Sequence, residues 1–504
     1  MTKYLTSLLF VLLGFQTIAS DKPNIIIIYA DDMGYGDMSN MNPESKIPTP
    51  NLDKLAANGM RFDDGHSSSG ICTPSRYALL TGNYHWRRMH GIVNSFGESV
   101  FKENEMTLPR MLKGQGYKTA AIGKWHLGFN WKSIMIDPEA KTKAGKKSAY
   151  TPAAFDWSKA IPGGPLSIGF DTYFGDGVIN FPPYCWVEND RVIEAPSTML
   201  DLKGTRPPEG GWECRPGPAV KDWDIYQVLP TLTKKAVEFI SQQKKDQPFF
   251  LYFALPAPHA PIIPNKEFIG MSQAGPYGDF VCQVDWVTGQ VLDKLKEKGL
   301  DQNSIVIFTA DNGPEHYAYK RLEKTGHSSP GILRGLKRDI YEGGHRVPFI
   351  VSWPGKIKTS ISLETISQVD LMATMAKITG ANLKENEAVD SYNILPVLKS
   401  ESYSSPLREA TVQNTKTDKF AIRRGDWLYL DTYTGHHSGG HDKIFSVKNG
   451  FHQVNRKAPG LLYNLKNDIS QKNNLYDQHP EIVKELKDLL KSYREGSRSA
   501  PLLD

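Results

Sequence analysis

Asn24–Ala30 reads Asn-Ile-Ile-Ile-Ile-Tyr-Ala, an unbroken apolar run that stops at Asp31-Asp32. With no polar alternation, such a run predicts a strand buried on both faces, its carboxylates standing at its C-terminal end. The pattern recurs along the chain. Phe249–Ala254 follows helical periodicity over Leu232–Gln243, Ser304–Thr309 runs into Ala310-Asp311-Asn312-Gly313, and Val347–Trp353 closes on Pro354-Gly355. Apolar strands alternating with helical stretches predict an α/β fold, a large mixed and mostly parallel sheet sandwiched by helices. Ligands bind such sheets at the carboxyl ends of their strands, which is where both acidic pairs fall.

Two regions depart from this rhythm. Between Lys132 and Arg215 the periodicity gives way to Pro, Gly, Lys and aromatics, and a long irregular stretch of this kind predicts an insertion over the active face. Beyond residue 400 short alternating segments such as Phe420–Leu430 precede an amphipathic helix over Pro480–Tyr493, with Ile482, Val483, Leu486, Leu489 and Leu490 on one stripe. The expected organisation is a catalytic domain over 21–400 and a smaller α+β subdomain over 401–504, with antiparallel strands and a terminal helix. At the start of the chain, Lys3 leads into an apolar stretch from Leu5 to Phe15, followed by the small residues Thr17 and Ala19. These features predict a secretory signal over 1–20, cleaved after Ala19 or Ser20, and export to the periplasm or medium. The stretch is short of the ~18 apolar residues of a membrane span, so stable membrane insertion is not expected.

Composition narrows the function classes. The 504 residues are 39% hydrophobic and 11% aromatic, enough for a large core and unlike a disordered or fibrous chain. A net charge of +5 is too dilute over this length to argue for nucleic acid, although a locally basic cleft remains compatible with an anionic substrate. Four scattered cysteines (Cys72, Cys185, Cys214 and Cys282) form neither a disulfide scaffold nor a C-x-x-C metal pair. A Cys185–Cys214 bridge is open in an oxidising compartment, but sequence does not fix pairing among Cys185, Cys214 and Cys282.

The sharpest chemistry lies in Cys72-Thr73-Pro74-Ser75-Arg76-Tyr77-Ala78-Leu79-Leu80-Thr81-Gly82. A cysteine beside an arginine fits either a cation-stabilised thiolate or an inert buried thiol. Lys124 and His126 follow a short apolar segment in Gly116–His126, placed to meet an anion. Asp31-Asp32 and Asp311-Asn312 offer hard oxygens suited to Ca²⁺ or Mg²⁺, and equally suited to capping the helices that follow. His259 sits in a proline-stiffened Ala-Pro-His-Ala-Pro loop, and Lys337 precedes Arg338-Asp339-Ile340 and Tyr341-Glu342-Gly343-Gly344.

Taken together these segments resemble the formylglycine-dependent (type I) sulfatases of the alkaline phosphatase-like superfamily, and in particular the bacterial polysaccharide sulfatases. Cys-x-Pro-Ser-Arg-x-x-x-Leu-Thr-Gly is similar to the first signature of that family, and Gly116–His126 to the second. The resemblance runs from about residue 22 to 355 and more weakly to Leu462–Leu465 and Asn474-Leu475. It implies that Cys72 is oxidised to an aldehyde by a formylglycine-generating enzyme and that the aldehyde hydrate attacks sulfur. It also implies that Asp31, Asp32, Asp311, Asn312 and modified Cys72 hold Ca²⁺, and that Lys124 and Lys337 bind sulfate. Arg76 would hold the modified residue, His259 would protonate the leaving oxygen, and His126 would act as the base that regenerates the aldehyde.

Substrate contacts are less legible. Arg87, Arg88, His90, Glu315, His316, His436, His437 and His441 are candidates for contacts with neighbouring sulfates or hydroxyls, and the cluster His436, His437 and His441 fits equally a solvated loop or an incidental metal binder. Trp86, Trp125, Trp131, Tyr184, Trp186 and Trp212 are candidates for sugar stacking, or ordinary packing. A sulfated carbohydrate is the expected substrate. The alternatives are a phosphonate monoester or phosphodiester hydrolase of the same fold, and a non-catalytic sulfated-glycan binder should Cys72 stay unmodified.

Overall fold

The computed structural model describes residues 22–144, 147–201, 209–416, 419–437, 448 and 455–503. The expected leader over 1–20, His441 and the side chain of Trp212 lie outside the described residues. A ten-stranded sheet runs from edge to edge through Ser360–Ser362, Met60–Phe62, Phe349–Ser352, Ser304–Ala310, Asn24–Ala30, Phe249–Ala254, Lys118–Lys124, Thr172–Gly177, Val187–Glu188 and Arg191–Val192. The central five, from Ser304–Ala310 to Thr172–Gly177, are parallel, and Phe349–Ser352 runs against both its neighbours. This is the large mixed, mostly parallel sheet that the apolar runs predict.

The absence of polar alternation has a direct explanation. Ile26 and Ile28 face one layer with the helices Pro50–Ala57, Val228–Ser241 and Gly275–Glu297, while Ile25 and Ile27 face another with Cys72–Thr81, Leu108–Gly114 and Asp370–Thr379. Both faces are dry, so each position is apolar. Register then gathers the chemistry. Ala30 lies opposite Ala310, Tyr29 opposite Ala254, and Ala254 opposite Gly123, so Asp31, Asp311 and Lys124 emerge at one edge.

The 132–215 stretch is sheet in part rather than overlay alone. Thr172–Gly177 pairs in parallel with Lys118–Lys124, and two short strands extend the sheet beyond it. The sequence Thr-Tyr-Phe-Gly-Asp-Gly is too short and glycine-broken to carry a strand signal.

A second sheet of four antiparallel strands comprises Thr411–Lys416, Lys419–Arg424, Trp427–Leu430 and Leu461–Asn464. One face packs Ile422, Tyr429 and Leu462 against Val483, Leu486 and Leu490 of the helix Pro480–Glu495. The other packs Ala421, Leu428, Leu430 and Tyr463 against Ile340 and Tyr341, just beyond Lys337. Among the described residues no helix is long and apolar enough to cross a membrane.

Candidate active site

Cys72 is the first residue of the helix Cys72–Thr81, and its buried Sγ lies 3.6 Å from Asp31 Oδ1. Free amides at a helix N-terminus favour negative charge there. Gly82 ends the helix at φ 67, a left-handed turn that glycine takes without strain. Arg76, four residues on, shares the face of Cys72. Its Nε and Nη2 donate to Asp311 Oδ2 at 3.1 and 2.8 Å, and its Nη1 to the Lys124 carbonyl at 3.3 Å.

The two acidic pairs meet as the strand register requires. The Asp32 amide donates to Asp311 Oδ1 at 3.2 Å, and Asn312 Nδ2 to Asp32 Oδ1 at 2.7 Å. Lys124 pairs with Asp31, Lys337 Nζ lies 2.7 and 2.8 Å from the two oxygens of Asp32, and His259 Nε2 is 3.7 Å from Asp32 Oδ2. Ligand atoms of Asp31, Asp32, Cys72 and His259 fall within 4.8 Å of one another. The buried Oδ1 of Asn312 has no hydrogen-bond partner. Three carboxylates and an orphaned amide oxygen form a hard donor set that fits a divalent cation.

Electrostatics follow from burial. Desolvation alone would raise Asp31, but Lys124, His259, Arg76 and Lys337 hold it well below the usual carboxylate range. Burial and the neighbouring Asp31 push Asp311 up to about 7 against the pull of Arg76 and Lys124. Burial, then Asp311, drives the Cys72 thiol far above its ordinary value, the opposite of an activated thiolate. Burial, then Lys124 and Arg76, keeps His126 well below its ordinary value and hence neutral.

Local backbone fixes the remaining groups. His126 sits at φ 53, held by Thr73 Oγ1 donating to its carbonyl at 2.7 Å and by Nε2 against the Val93 carbonyl at 3.0 Å. The Lys337 loop rests on the Asp311-Asn312 turn: the Lys337 amide donates to the Pro314 carbonyl and the Gly313 amide to the Gly344 carbonyl, both at 2.9 Å. A Cβ on Gly343 would stand 2.3 Å from the Gly335 carbonyl oxygen, so Tyr-Glu-Gly-Gly is dictated by close backbone approach.

Residues 23–381 match the family model described as Sulfatase. The chain belongs to the sulfatase family. It is 34% identical to the N-acetylgalactosamine-6-O-sulfatase of Bacteroides thetaiotaomicron, with 94% of each chain covered. It is 30% identical to human arylsulfatase A, covering 93% of this chain and 87% of that one. A B. thetaiotaomicron structure reported with the metabolism of multiple glycosaminoglycans superposes with a TM-score of 0.77 at 32% identity, covering 94% of this chain and all of the other. The sheet architecture is accordingly alkaline phosphatase-like, and the protein is a sulfuric ester hydrolase. Sulfatases generally use a divalent metal, for which the buried acidic cluster provides donors.

The residues suggested for substrate contact fare differently in this sulfatase. Arg87 grips Asp390 through Nε and Nη2, both at 2.8 Å, and the Gly496 carbonyl at 2.6 Å, so its guanidinium is a structural tie. His436 is held between Asp339 at 3.1 Å and Arg334 at 3.3 Å, bracing the Lys337 loop. Arg88 donates to the Val100 carbonyl at 3.1 Å, and His90 to Asn414 at 2.9 Å. His316 contacts Glu315 at 2.7 Å, and Glu315 in turn holds Arg338 at 2.6 Å beside Lys337. His437 donates its amide to Asp339. Trp125, Trp131 and Tyr184 are core residues, Trp86 stacks on Tyr84, and Trp186 on Phe174. All four cysteines are buried and none is in a disulfide, so no Cys185–Cys214 bridge is present.

One acidic residue escaped the sequence reading. Asp176 ends the parallel strand next to that of Lys124, buried, with neither carboxylate oxygen hydrogen-bonded. Like Asp31 and Asp311 it stands at the C-terminal end of a strand, but a strand too short and glycine-broken to be read from the sequence.

Proposed function

We propose that this sulfatase hydrolyses O-sulfate esters of a sulfated carbohydrate, with the reacting centre at Cys72. The observation that carries this reading is convergence: Asp31, Asp32, Lys124, His259 and Lys337 meet around one buried cysteine at the carboxyl edge of the sheet. Two relatives sharpen the substrate class, one named for N-acetylgalactosamine 6-O-sulfate and one solved in the context of glycosaminoglycans. A 6-sulfated galactose-type sugar, in an oligosaccharide or polymer, is therefore the first substrate to try.

Burial holds the Cys72 thiol well above its ordinary value, and it is the Cys-x-Pro-Ser-Arg signature that supports its conversion to formylglycine. Formed from Cys72, that aldehyde's hydrate would supply the oxygen nucleophile. Ca²⁺, held by Asp31, Asp32, Asp311 and Asn312, would supply charge neutralisation. Lys124 and Lys337 bring two ammonium groups to the same edge and would bind the sulfuryl oxygens, a contribution of several kcal/mol in comparable oxyanion sites. His259 Nε2 lies at the Asp32 side and would deliver a proton to the leaving oxygen. Neutral His126, with Nδ1 unpartnered, would accept a proton. Arg76 fixes Asp311 and the far wall.

The test is sulfate release from a panel of sulfated glycans, using protein co-expressed with a formylglycine-generating enzyme, with Cys72→Ala alongside. Release by the wild type alone supports the reading, and mass spectrometry of the Cys72 peptide reports its conversion. Equal release by both proteins, or fully converted protein inert on every sulfate ester, refutes it.

A further inference from the structure

Asp37, His327 and Arg321 are buried charged or titratable groups that the proposed reaction leaves unused, and all three converge on one phenol. Tyr277, in the first turn of the helix Gly275–Glu297, is itself buried. Its hydroxyl lies 2.6 Å from Asp37 Oδ2 and 3.0 Å from the Asp32 carbonyl oxygen, one proton facing two acceptors. His327 Nδ1 accepts from the Lys46 amide at 3.4 Å, which leaves Nε2 to donate to Asp37 Oδ1 at 2.8 Å. The Gly34 amide also donates to Asp37 Oδ2, at 2.7 Å. Arg321 covers the ring, its guanidinium carbon 3.5 Å from the centroid, with Glu209 as an ion-pair partner at 3.6 Å. Burying such groups costs free energy, and a connected network of them fixes geometry in return.

The geometry that it fixes is a turn at Asp32. Asp32 stands at φ 63, a left-handed conformation that few residues other than glycine adopt and that persists only where the surroundings hold it. Successive side chains of an extended strand point to opposite faces. Were Asn24–Ala30 to continue extended, Asp31 and Asp32 would point apart. The left-handed residue breaks the alternation, and ligand atoms of the two carboxylates come within 4.8 Å of each other. The turn is tied at each step: the Asp31 amide donates to the Ala257 carbonyl at 2.9 Å, the Asp32 amide to Asp311 Oδ1, and the Asp32 carbonyl meets Tyr277. Beyond it the chain lies against the segment that follows His327. A Cβ on Gly34 would stand 2.2 Å from the Ser329 carbonyl oxygen, and one on Gly36 2.4 Å from the Gly331 nitrogen.

We infer that Tyr277 is a positioning residue for the divalent cation: its hydroxyl, braced by Asp37 and His327, holds the Asp32 carbonyl and with it the left-handed turn that brings Asp31 and Asp32 to one ion. This rests on the proposed cation site and goes beyond it in assigning a residue that shapes the site from outside the ligand set. The phenol reaches Asp32 through the main chain rather than the carboxylate. Its loss therefore acts on the affinity for the cation and spares the lysines that would meet the ester.

The experiment titrates Ca²⁺, and separately Mg²⁺, into metal-stripped wild type, Tyr277→Phe and Arg87→Gln by calorimetry, and follows sulfate release against Ca²⁺ concentration. Groups that orient metal ligands from behind typically account for 10- to 100-fold in affinity, so Tyr277→Phe is expected to raise the Kd for Ca²⁺ by about 10- to 100-fold. Its sulfate release should fall at limiting Ca²⁺ and recover toward the wild-type rate at saturating Ca²⁺, with KM for the ester little changed. Arg87→Gln loses a structural tie that does not bond to the turn, and should keep the wild-type Kd. A Tyr277→Phe protein with the wild-type Kd overturns the assignment, and so does an equal weakening in Arg87→Gln. Should Tyr277→Phe fail to fold, His327→Gln takes its place: a raised Kd sustains the assignment and an unchanged one overturns it. Should no ester be turned over, the proposed activity falls, and the Kd values alone decide the role of Tyr277. A wild type that binds neither cation overturns the assignment together with the cation site, and its sulfate release then shows whether the hydrolase reading stands without them.

Discussion

Acid should unfold this sulfatase through two histidines outside the catalytic cluster. His85 is fully buried, with Nε2 3.2 Å from Asn414 Oδ1 and Nδ1 facing no partner. Burial, opposed by Asn414 and assisted by His90, lowers it to about 3. His345, buried with Nδ1 3.0 Å from His66 Nδ1 and Nε2 unpartnered, is likewise lowered to about 3 by burial, with Glu342 opposing. An unfolded histidine titrates near 6.5. Between these values the unfolded chain binds protons that the folded chain refuses, so stability is complete above about pH 6.5 and falls as the pH drops toward 3. Each group costs about 1.4 kcal/mol per pH unit in that window, or about 2 kcal/mol between pH 7 and pH 5. The decisive variant is His85→Gln, which abolishes the titration and keeps an amide able to donate to Asn414. Urea unfolding followed by tryptophan fluorescence at pH 7 and pH 5 should show an acid-induced loss smaller in the variant by about 2 kcal/mol. An identical loss in both proteins would falsify the argument that His85 is buried neutral at the junction with the second sheet.

Other perturbations test the site and its supports. Arg76→Met leaves Asp311 buried beside Asp31 without its guanidinium, and should cost roughly 3–5 kcal/mol in urea unfolding together with sulfate ester turnover; unchanged stability would contradict the pairing. Gly343→Ala forces a Cβ to 2.3 Å from the Gly335 carbonyl oxygen, so the Lys337 loop must shift; a cost of roughly 1–3 kcal/mol is expected, with a raised KM. Arg87→Gln should lower stability while leaving KM for sulfated glycans unchanged, because its bonds go to Asp390 and Gly496. Removing divalent metal with a chelator should lower the melting temperature, and Ca²⁺ at a hundredfold over its Kd should restore about 2.7 kcal/mol; a melting curve indifferent to both would count against the acidic cluster as a metal site.

What was legible beforehand follows from where each signal resides. Asp31, Asp32, Asp311 and Asn312 terminate strands buried on both faces, and a run of isoleucines is an unmistakable period. Their convergence needed only parallel neighbours. Asp176 was hidden because its strand, Thr-Tyr-Phe-Gly-Asp-Gly, is broken by glycine and joins the sheet only through its pairing with Lys118–Lys124. The ion pair of Arg87 was illegible for a complementary reason. Its partner Asp390 is 303 residues away, and no local pattern announces an ion pair at that separation. His436, in sequence a substrate-contact candidate or part of a solvated histidine loop, is a buried brace because Asp339 and Arg334 close on it from distant segments.

The second sheet has a consequence for anyone trimming this enzyme. Cys72, Lys124, Lys337 and the proposed metal ligands Asp31, Asp32, Asp311 and Asn312 lie before residue 381, where the family match ends. A fragment cut there would keep every residue proposed to react and lose the floor under Ile340 and Tyr341, the partner of Arg87, and the strand that receives His85. The stretch that looks dispensable on chemical grounds is mechanical formwork for the Lys337 loop. The smallest unit that can be grafted, fused or recombined with its active site intact is therefore set by packing, and it extends to the terminal helix.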